Sequence, residues 1–285
     1  MATVPRQLMF KHVLVASGLV AVGLALAPPA RAQTAQQRAS CDIKGGARPD
    51  EVISGCTAVI QSGQETGTNL AAAFTIRGRA HRAKGDYDHA IADYTEAIRI
   101  EPNYVLAFYS RGIAHFNKKD YDRAVADYTV SLRLAPGDVI ALQNRGHAYQ
   151  AKQDYDSAIA DYSEAIRIEP RFPYAFNDRC YARAIAGREL PQALADCNEA
   201  LQLIPNDIHT LDSRGFAYLR LGEFDKAITD YDAVLKSNPR QAGSLYGRGL
   251  AKQKKGDNAG GGADITAAKA IRADIGEEFA RYGVK

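Results

Sequence analysis

Apolar residues recur along this chain at helical intervals, and the whole pattern returns about every 34 residues. In one stretch Ala90, Ile91, Tyr94, Ala97 and Ile98 fall at i, i+3 and i+4, which puts them on one stripe of an α-helix. The stretch before it, from about Ala71 to Ala83, predicts a partner helix, and Lys84-Gly85-Asp86 predicts the turn between the two. Asp88 is expected to cap the second helix, because a carboxylate accepts hydrogen bonds from the free amides of a first turn. Asp122, Asp156 and Asp225 stand at matching places. Pro102 has no N–H with which to continue a helix, so the chain must turn back there.

The dipeptide Arg-Gly marks the period at Arg77-Gly78, Arg111-Gly112 and Arg145-Gly146, changes to Arg179-Cys180, and returns at Arg214-Gly215 and Arg248-Gly249. The spacings are 34, 34, 34, 35 and 34. Each Arg is followed sixteen or seventeen residues later by an Asp (Asp93, Asp127, Asp161, Asp196, Asp230 and Asp264), and Pro102, Pro136, Pro170, Pro205 and Pro239 close five units. A large residue precedes each Arg (Phe74, Phe108, Leu142, Phe176, Leu211, Leu245). A small one opens the second helix (Ala90, Ala124, Ala158, Ala193, Ala227, Gly261). An aromatic follows at Tyr94, Tyr128, Tyr162 and Tyr231, with Cys197 and Ile265 as departures.

This spacing resembles the tetratricopeptide repeat. The resemblance implies an all-α fold, a right-handed α-α superhelix or solenoid of antiparallel helix pairs, because one pair cannot bury its own apolar face and neighbours must stack. Six repeats are expected at 71–104, 105–138, 139–172, 173–207, 208–241 and 242–274. An N-terminal half-repeat and linker fill 33–70, and a capping helix that reads as polar fills 275–285. Asp50 to Ile60 aligns with Asp88 to Ile98 as a lone second helix, with Cys56 on the Tyr94 site and Gln61 to Thr68 as a linker.

The resemblance also implies a concave groove lined by first-helix positions that point away from the second helix. Mapped here these are Tyr109, Ser110, Ile113 and Phe116; Gln143, Asn144 and His147; Tyr174, Asn177, Asp178 and Tyr181; then Asp212, Phe216 and Tyr246. Aromatic rings with polar tips suit a peptide surface, since they bury area and still hydrogen-bond. A protein or peptide partner is therefore expected. The Lys-x-x-x-Asn and Lys-x-x-x-Arg clamp of chaperone-tail binders does not occur. A structural part of a larger envelope assembly, or a regulatory subunit of an enzyme, are the alternative readings.

The four cysteines allow three pairings. Elsewhere the small site of the first helix is Gly and the facing site is large. In the fourth repeat both are Cys, which predicts a Cys180–Cys197 bond. Cys56 holds the same second-helix site, which predicts Cys41–Cys56. Loops of this size contribute about 3 kcal/mol each in the chain-entropy account.

The Arg/Asp series reads as a bridge between a first-helix Arg and a second-helix Asp, within or between repeats, rather than as a phosphate or carboxylate stripe, since it recurs one-to-one in every repeat. The Asp-Tyr-Asp runs lack the further oxygens of a calcium loop. His81 and His115 occupy one site in successive repeats and read as core-edge residues. Gly260-Gly261-Gly262 stays in repeat register, and no Lys-Ser/Thr follows it as a phosphate loop would require. No nucleophile elbow or metalloprotease helix occurs. No catalytic residue, no metal site and no cofactor are expected.

Composition changes one point. Residues 1–32 begin with Arg6 and Lys11, run apolar from Val13 to Ala27, break at Pro28-Pro29 and end on Ala30-Arg31-Ala32. That is the pattern of a secretory signal peptide cut after Ala32, with an apolar run short of the roughly 20 residues that span a bilayer. The periplasm, or secretion, is then the expected location, with no membrane insertion after cleavage. Without Arg6, Lys11 and Arg31, the 36 basic residues less these three balance the 33 acidic ones. No basic excess remains for nucleic acid.

Overall fold

The computed structural model of the chain describes Cys41 and residues 47–284; the expected signal peptide, residues 1–32, lies outside the described residues. Fourteen α-helices and no strand occur among the described residues. A lone helix α1 (Pro49–Gln61) precedes six antiparallel pairs: α2 (Gly67–Ala83) with α3 (Tyr87–Ile100), α4 (Val105–Asn117) with α5 (Tyr121–Leu134), and α6 (Val139–Ala151) with α7 (Tyr155–Ile168). The series continues with α8 (Pro173–Ala186) and α9 (Leu190–Leu203), α10 (Ile208–Leu221) and α11 (Phe224–Ser237), α12 (Ala242–Lys254) and α13 (Asn258–Ile271). It ends on the short α14 (Ile275–Arg281). Each helix packs on the next in the chain, and the first helices of successive pairs also touch, so the pairs stack in series. No described helix is long and apolar enough to cross a membrane.

Helix α2 begins at Gly67, before the expected Ala71. Its first turn, Gly67-Thr68-Asn69-Leu70, is mostly polar and exposed, so it carries no apolar stripe to read. The caps also differ from expectation. Asp86, Asp120 and Asp154 accept the amides of His89, Arg123 and Ser157, one residue before their helices start. Asp88, Asp122, Asp156 and Asp225 sit inside the first turn instead, too far along to cap but favoured by the positive helix end. Each reaches a basic residue of the following pair: Lys118, Lys152, Arg188 and Lys255. These pairs are exposed and contribute little to stability.

Close approach within a pair depends on a hole and a knob. A Cβ placed on Gly78, Gly112, Gly146 or Gly215 would stand 2.7, 2.8, 2.5 or 3.0 Å from Cε1 of Tyr94, Tyr128, Tyr162 or Tyr231. Those four rings are almost wholly buried, and burial pushes the Tyr94 hydroxyl up to about 12. Gly249 meets Ile265 in the same way at 2.8 Å. In the fourth pair a bond from Cys180 to Cys197 joins α8 to α9 in place of the hole and knob, and Cys41 is bonded to Cys56 of α1. No free cysteine remains.

The Arg/Asp series lies within pairs. Arg77, Arg111, Arg145, Arg179, Arg214 and Arg248 each give Nε and Nη2 to the two carboxylate oxygens of Asp93, Asp127, Asp161, Asp196, Asp230 and Asp264, at 2.6 to 3.0 Å. The remaining Nη1 reaches back to the preceding second helix, to Thr57, Thr95, Thr129, Ser163, Asn198 and Asp232 in turn. One guanidinium thus ties its own pair together and ties that pair to the one before. Planar fork geometry makes Arg suited to this double task.

Helix α14 is not the polar cap expected. Ile275 and Phe279 are buried, on one side of it. It touches α12 and α13 only lightly, and its rings turn back along the first-helix side of the stack. Phe279 lies 5.5 Å from Phe216 of α10 and 4.8 Å from Tyr246 of α12.

Candidate functional site

The first helices present one face as a row. Positions two residues before each ladder Arg follow one another from α4 to α12: Tyr109, Gln143, Asn177, Asp212 and Tyr246. Neighbours bond across repeats. Asn144 Nδ2 donates to the Tyr109 hydroxyl at 2.9 Å, and Gln143 Nε2 donates to Asp178 Oδ2 at 2.6 Å. His147 Nε2 stands 2.9 Å from that same oxygen. Ser244 Oγ donates to Asp212. Ile113, Phe116 and Tyr109 pack, half-buried, against the cluster of Ala124, Tyr128 and Ala148. Tyr181 and Phe216 continue the row with ring centroids 6.3 Å apart.

Two expected groove residues stand apart from the row, and a third is covered within it. Ser110 is buried in the stack at 4% exposure, because its side of α4 faces neighbouring helices. Tyr174, at 56% exposure, rests its ring on Phe172, 5.7 Å away, at the open start of α8. Phe216 is only 5% exposed, since Phe279 and Tyr282 cover it.

Covering by α14 divides the face into two parts. Toward the C-terminal repeats, α14 lies over Tyr181, Asp212, Phe216 and Tyr246, and Arg220 Nη1 donates to the Tyr282 carbonyl. Burial pushes the Tyr181 hydroxyl well up. Toward the middle repeats a cleft of about 490 Å³ stays open between Phe116, His147, Gln150, Tyr155 and Ile185, with Arg281 and Tyr282 at its far wall. Sequence reasoning missed Tyr155, Ile185 and Arg220. It placed the terminal helix but read it as polar, although Ile275, Phe279 and Tyr282 form an i, i+4, i+7 stripe that signals an amphipathic helix.

Elsewhere, His81, Asp86 and His89 bring one ligand atom each within 4.8 Å of one another. The His81 and His89 Nδ1 atoms lie 3.2 and 2.7 Å from Asp86 Oδ2. Those contacts account for the cluster as imidazoles gathered on a capping carboxylate, though the set is of the kind that could hold a zinc-type ion. His115 stands at the site of His81 one repeat on, and burial lowers its pKa.

Residues 78–119 and 215–256 match the family described as TPR repeat, and residues 139–172 match the tetratricopeptide repeat. The chain is a tetratricopeptide-repeat protein. Among solved structures this repeat protein resembles a tetratricopeptide repeat protein from Parabacteroides merdae ATCC 43184, with a TM-score of 0.70, 18% identity, and coverage of 88% of this chain and 99% of that one. It also resembles PilW, a widely conserved type IV pilus biogenesis factor (TM-score 0.63, 16% identity, 70% and 93% coverage). A third likeness is to MamA from Desulfovibrio magneticus RS-1 (TM-score 0.55, 22% identity, 60% and 96% coverage). At these identities the likeness is one of fold. No curated protein sequence matches the chain.

Proposed function

We propose that this repeat protein is a non-catalytic scaffold or adaptor that receives a peptide or partner helix along its concave face. The observation that carries the reading is α14 itself. An amphipathic helix already lies on that face, with Phe279 set between Phe216 and Tyr246 and Tyr282 against Phe216. The surface therefore accepts helical side chains of this kind, and aromatic anchors in desolvated pockets are what such recognition uses. The open cleft around Phe116 and His147 extends the same face.

The compartment belongs to the proposal. Two disulfides in a chain of this size fit an oxidising environment, and residues 1–32 read as an export signal. Mass spectrometry of the envelope fraction tests this: a chain beginning at Gln33 is expected, and an intact Met1 start in the cytoplasm would refute it. Crosslinking pull-down from the same fraction tests the groove, with Tyr109→Ala and Phe116→Ala as the altered face. Recovery of a specific partner should fall at least tenfold, and equal recovery from both chains would count against groove binding.

A further inference from the structure

Beneath α14 lies a pocket whose repeat side is Tyr181, Asp212, Phe216 and Tyr231 and whose lid is Glu278, Phe279 and Tyr282. We propose that this pocket recognises a helical segment of a protein partner that carries a Lys or Arg beside aromatic anchors, and that α14 is the resident which such a segment displaces. The proposal rests on the groove reading above and adds the chemistry of the ligand.

The fit of α14 is good for rings and poor for charge. Phe279 and Tyr282 pack edge-on or tilted against Phe216 and Tyr246, as aromatic pairs prefer. The floor tells otherwise. Asp212 accepts one hydrogen bond, from Ser244, and forms no ion pair among the described residues. Enough protein crowds its carboxylate that desolvation raises its pKa, while the Ser244 hydrogen bond and then His209 oppose this only in part. Tyr231, which lines the same pocket, has a buried hydroxyl without a hydrogen-bond partner. Into this acidic floor α14 brings another acid, Glu278. Arg272, the one cation among the residues lining this pocket, is engaged by Glu278 at 2.9 Å.

A partner with an ammonium or guanidinium at the place of Glu278 would give Asp212 its counter-charge and offer a donor to the Tyr231 oxygen. Both groups are then satisfied rather than merely covered. Displacement is feasible because α14 has seven residues. A helix that short is not stable by itself in water, so it holds its form only while docked. Its advantage over a free competitor is the local concentration that tethering gives.

The test uses the full chain with Phe279→Ala and Tyr282→Ala, which removes the resident's anchors and leaves the stack covalently complete. Far-UV circular dichroism checks its folding, and Tyr282→Ala alone serves if the double variant loses helicity. Two fluorescent decapeptides are the probes: the native sequence of residues 275–284, and the same with Glu278→Lys. Anisotropy should show the lysine peptide binding about tenfold more tightly, the scale of one charge pair gained against one like charge lost. Adding Asp212→Asn to the opened chain should abolish that preference. Equal binding of the two peptides, or a preference that survives Asp212→Asn, would overturn the cation specificity while leaving the groove reading intact. Failure of both peptides to bind would overturn the groove reading as well. In the unaltered chain, saturating lysine peptide should speed hydrogen exchange in residues 275–284, and unchanged exchange would refute displacement.

Discussion

The fourth repeat holds an exchangeable joint, and restoring the pattern of its neighbours should show it. Cys180 and Cys197 stand where the other repeats place a Gly and a large residue, usually Tyr. A Cβ and a Tyr ring cannot share the site, since the hypothetical contacts in the other Tyr repeats run from 2.5 to 3.0 Å. Cys197→Tyr alone therefore loses the bond, about 3 kcal/mol for a closed loop of 17 residues, and adds overpacking of roughly 1–3 kcal/mol. Cys180→Gly alone loses the bond and opens a void, for a total of about 4 kcal/mol. The double change, Cys180→Gly with Cys197→Tyr, loses only the bond, because the new ring fills the new hole. It should stand about 3 kcal/mol below the oxidised parent and level with the reduced parent. Native-state hydrogen exchange of the amides in α8 and α9 reads this local stability directly, with and without dithiothreitol. The decisive comparison is under reduction, where the double variant should be the more protected by about 1–3 kcal/mol over Cys197→Tyr. If the two were equal there, glycine would not be what the ring requires, and the hole-and-knob account of the other five pairs would fail.

Three further outcomes follow from the same structure. Asp161→Ala strands the part-buried Arg145 guanidinium and should cost about 3 kcal/mol, whereas replacing both partners by Met and Leu should cost much less; a shift in the urea midpoint checks this, and equal losses would refute it. Cys41→Ser releases α1 from a loop of 15 residues, about 3 kcal/mol, and limited proteolysis should then cut near Gln61 first while the six pairs persist. Asp212 has its pKa raised by burial, so its folded-state advantage lies at low pH and is lost as pH rises above the ordinary 3.8 through the raised value. Asp212→Asn should accordingly gain melting temperature relative to the parent on going from pH 4 to pH 7, and a gap that does not widen would refute the desolvated charge.

Much of this was legible because repetition multiplies weak signals. A lone Gly before a helical stripe means little, but Gly78, Gly112, Gly146, Gly215 and Gly249 in register predicted a close helical approach that the Tyr and Ile contacts display. The Arg/Asp period foretold a bridge. It did not foretell the third nitrogen, because Thr95, Asn198 and Asp232 share only the ability to accept. Reading failed at the repeated caps and again at the terminal helix. The caps went to the wrong Asp because Asp-Tyr-Asp offers two carboxylates, and only the backbone start at Tyr87 decides between them. Glu277, Glu278 and Arg281 made α14 look polar, although its stripe of Ile275, Phe279 and Tyr282 was present in the sequence. Which neighbour that stripe meets is a tertiary matter that no local pattern contains. The groove residues followed from resemblance alone, and their coverage by the chain's own terminus had no counterpart in the repeats.

The sulfur bridge between α8 and α9 also sets how the rod would behave under tension. An ordinary hairpin of this period, drawn out from both ends, releases about 120 Å of chain at ~3.5 Å per residue. In the fourth, everything between Cys180 and Cys197 is short-circuited, so roughly 60 Å stays hidden from the pulling force. Stretched in an oxidising medium, the filament would yield five full lengths and one half-length. A reductant would restore the sixth to full measure, which makes this bond a gauge of its surroundings that a force clamp can read.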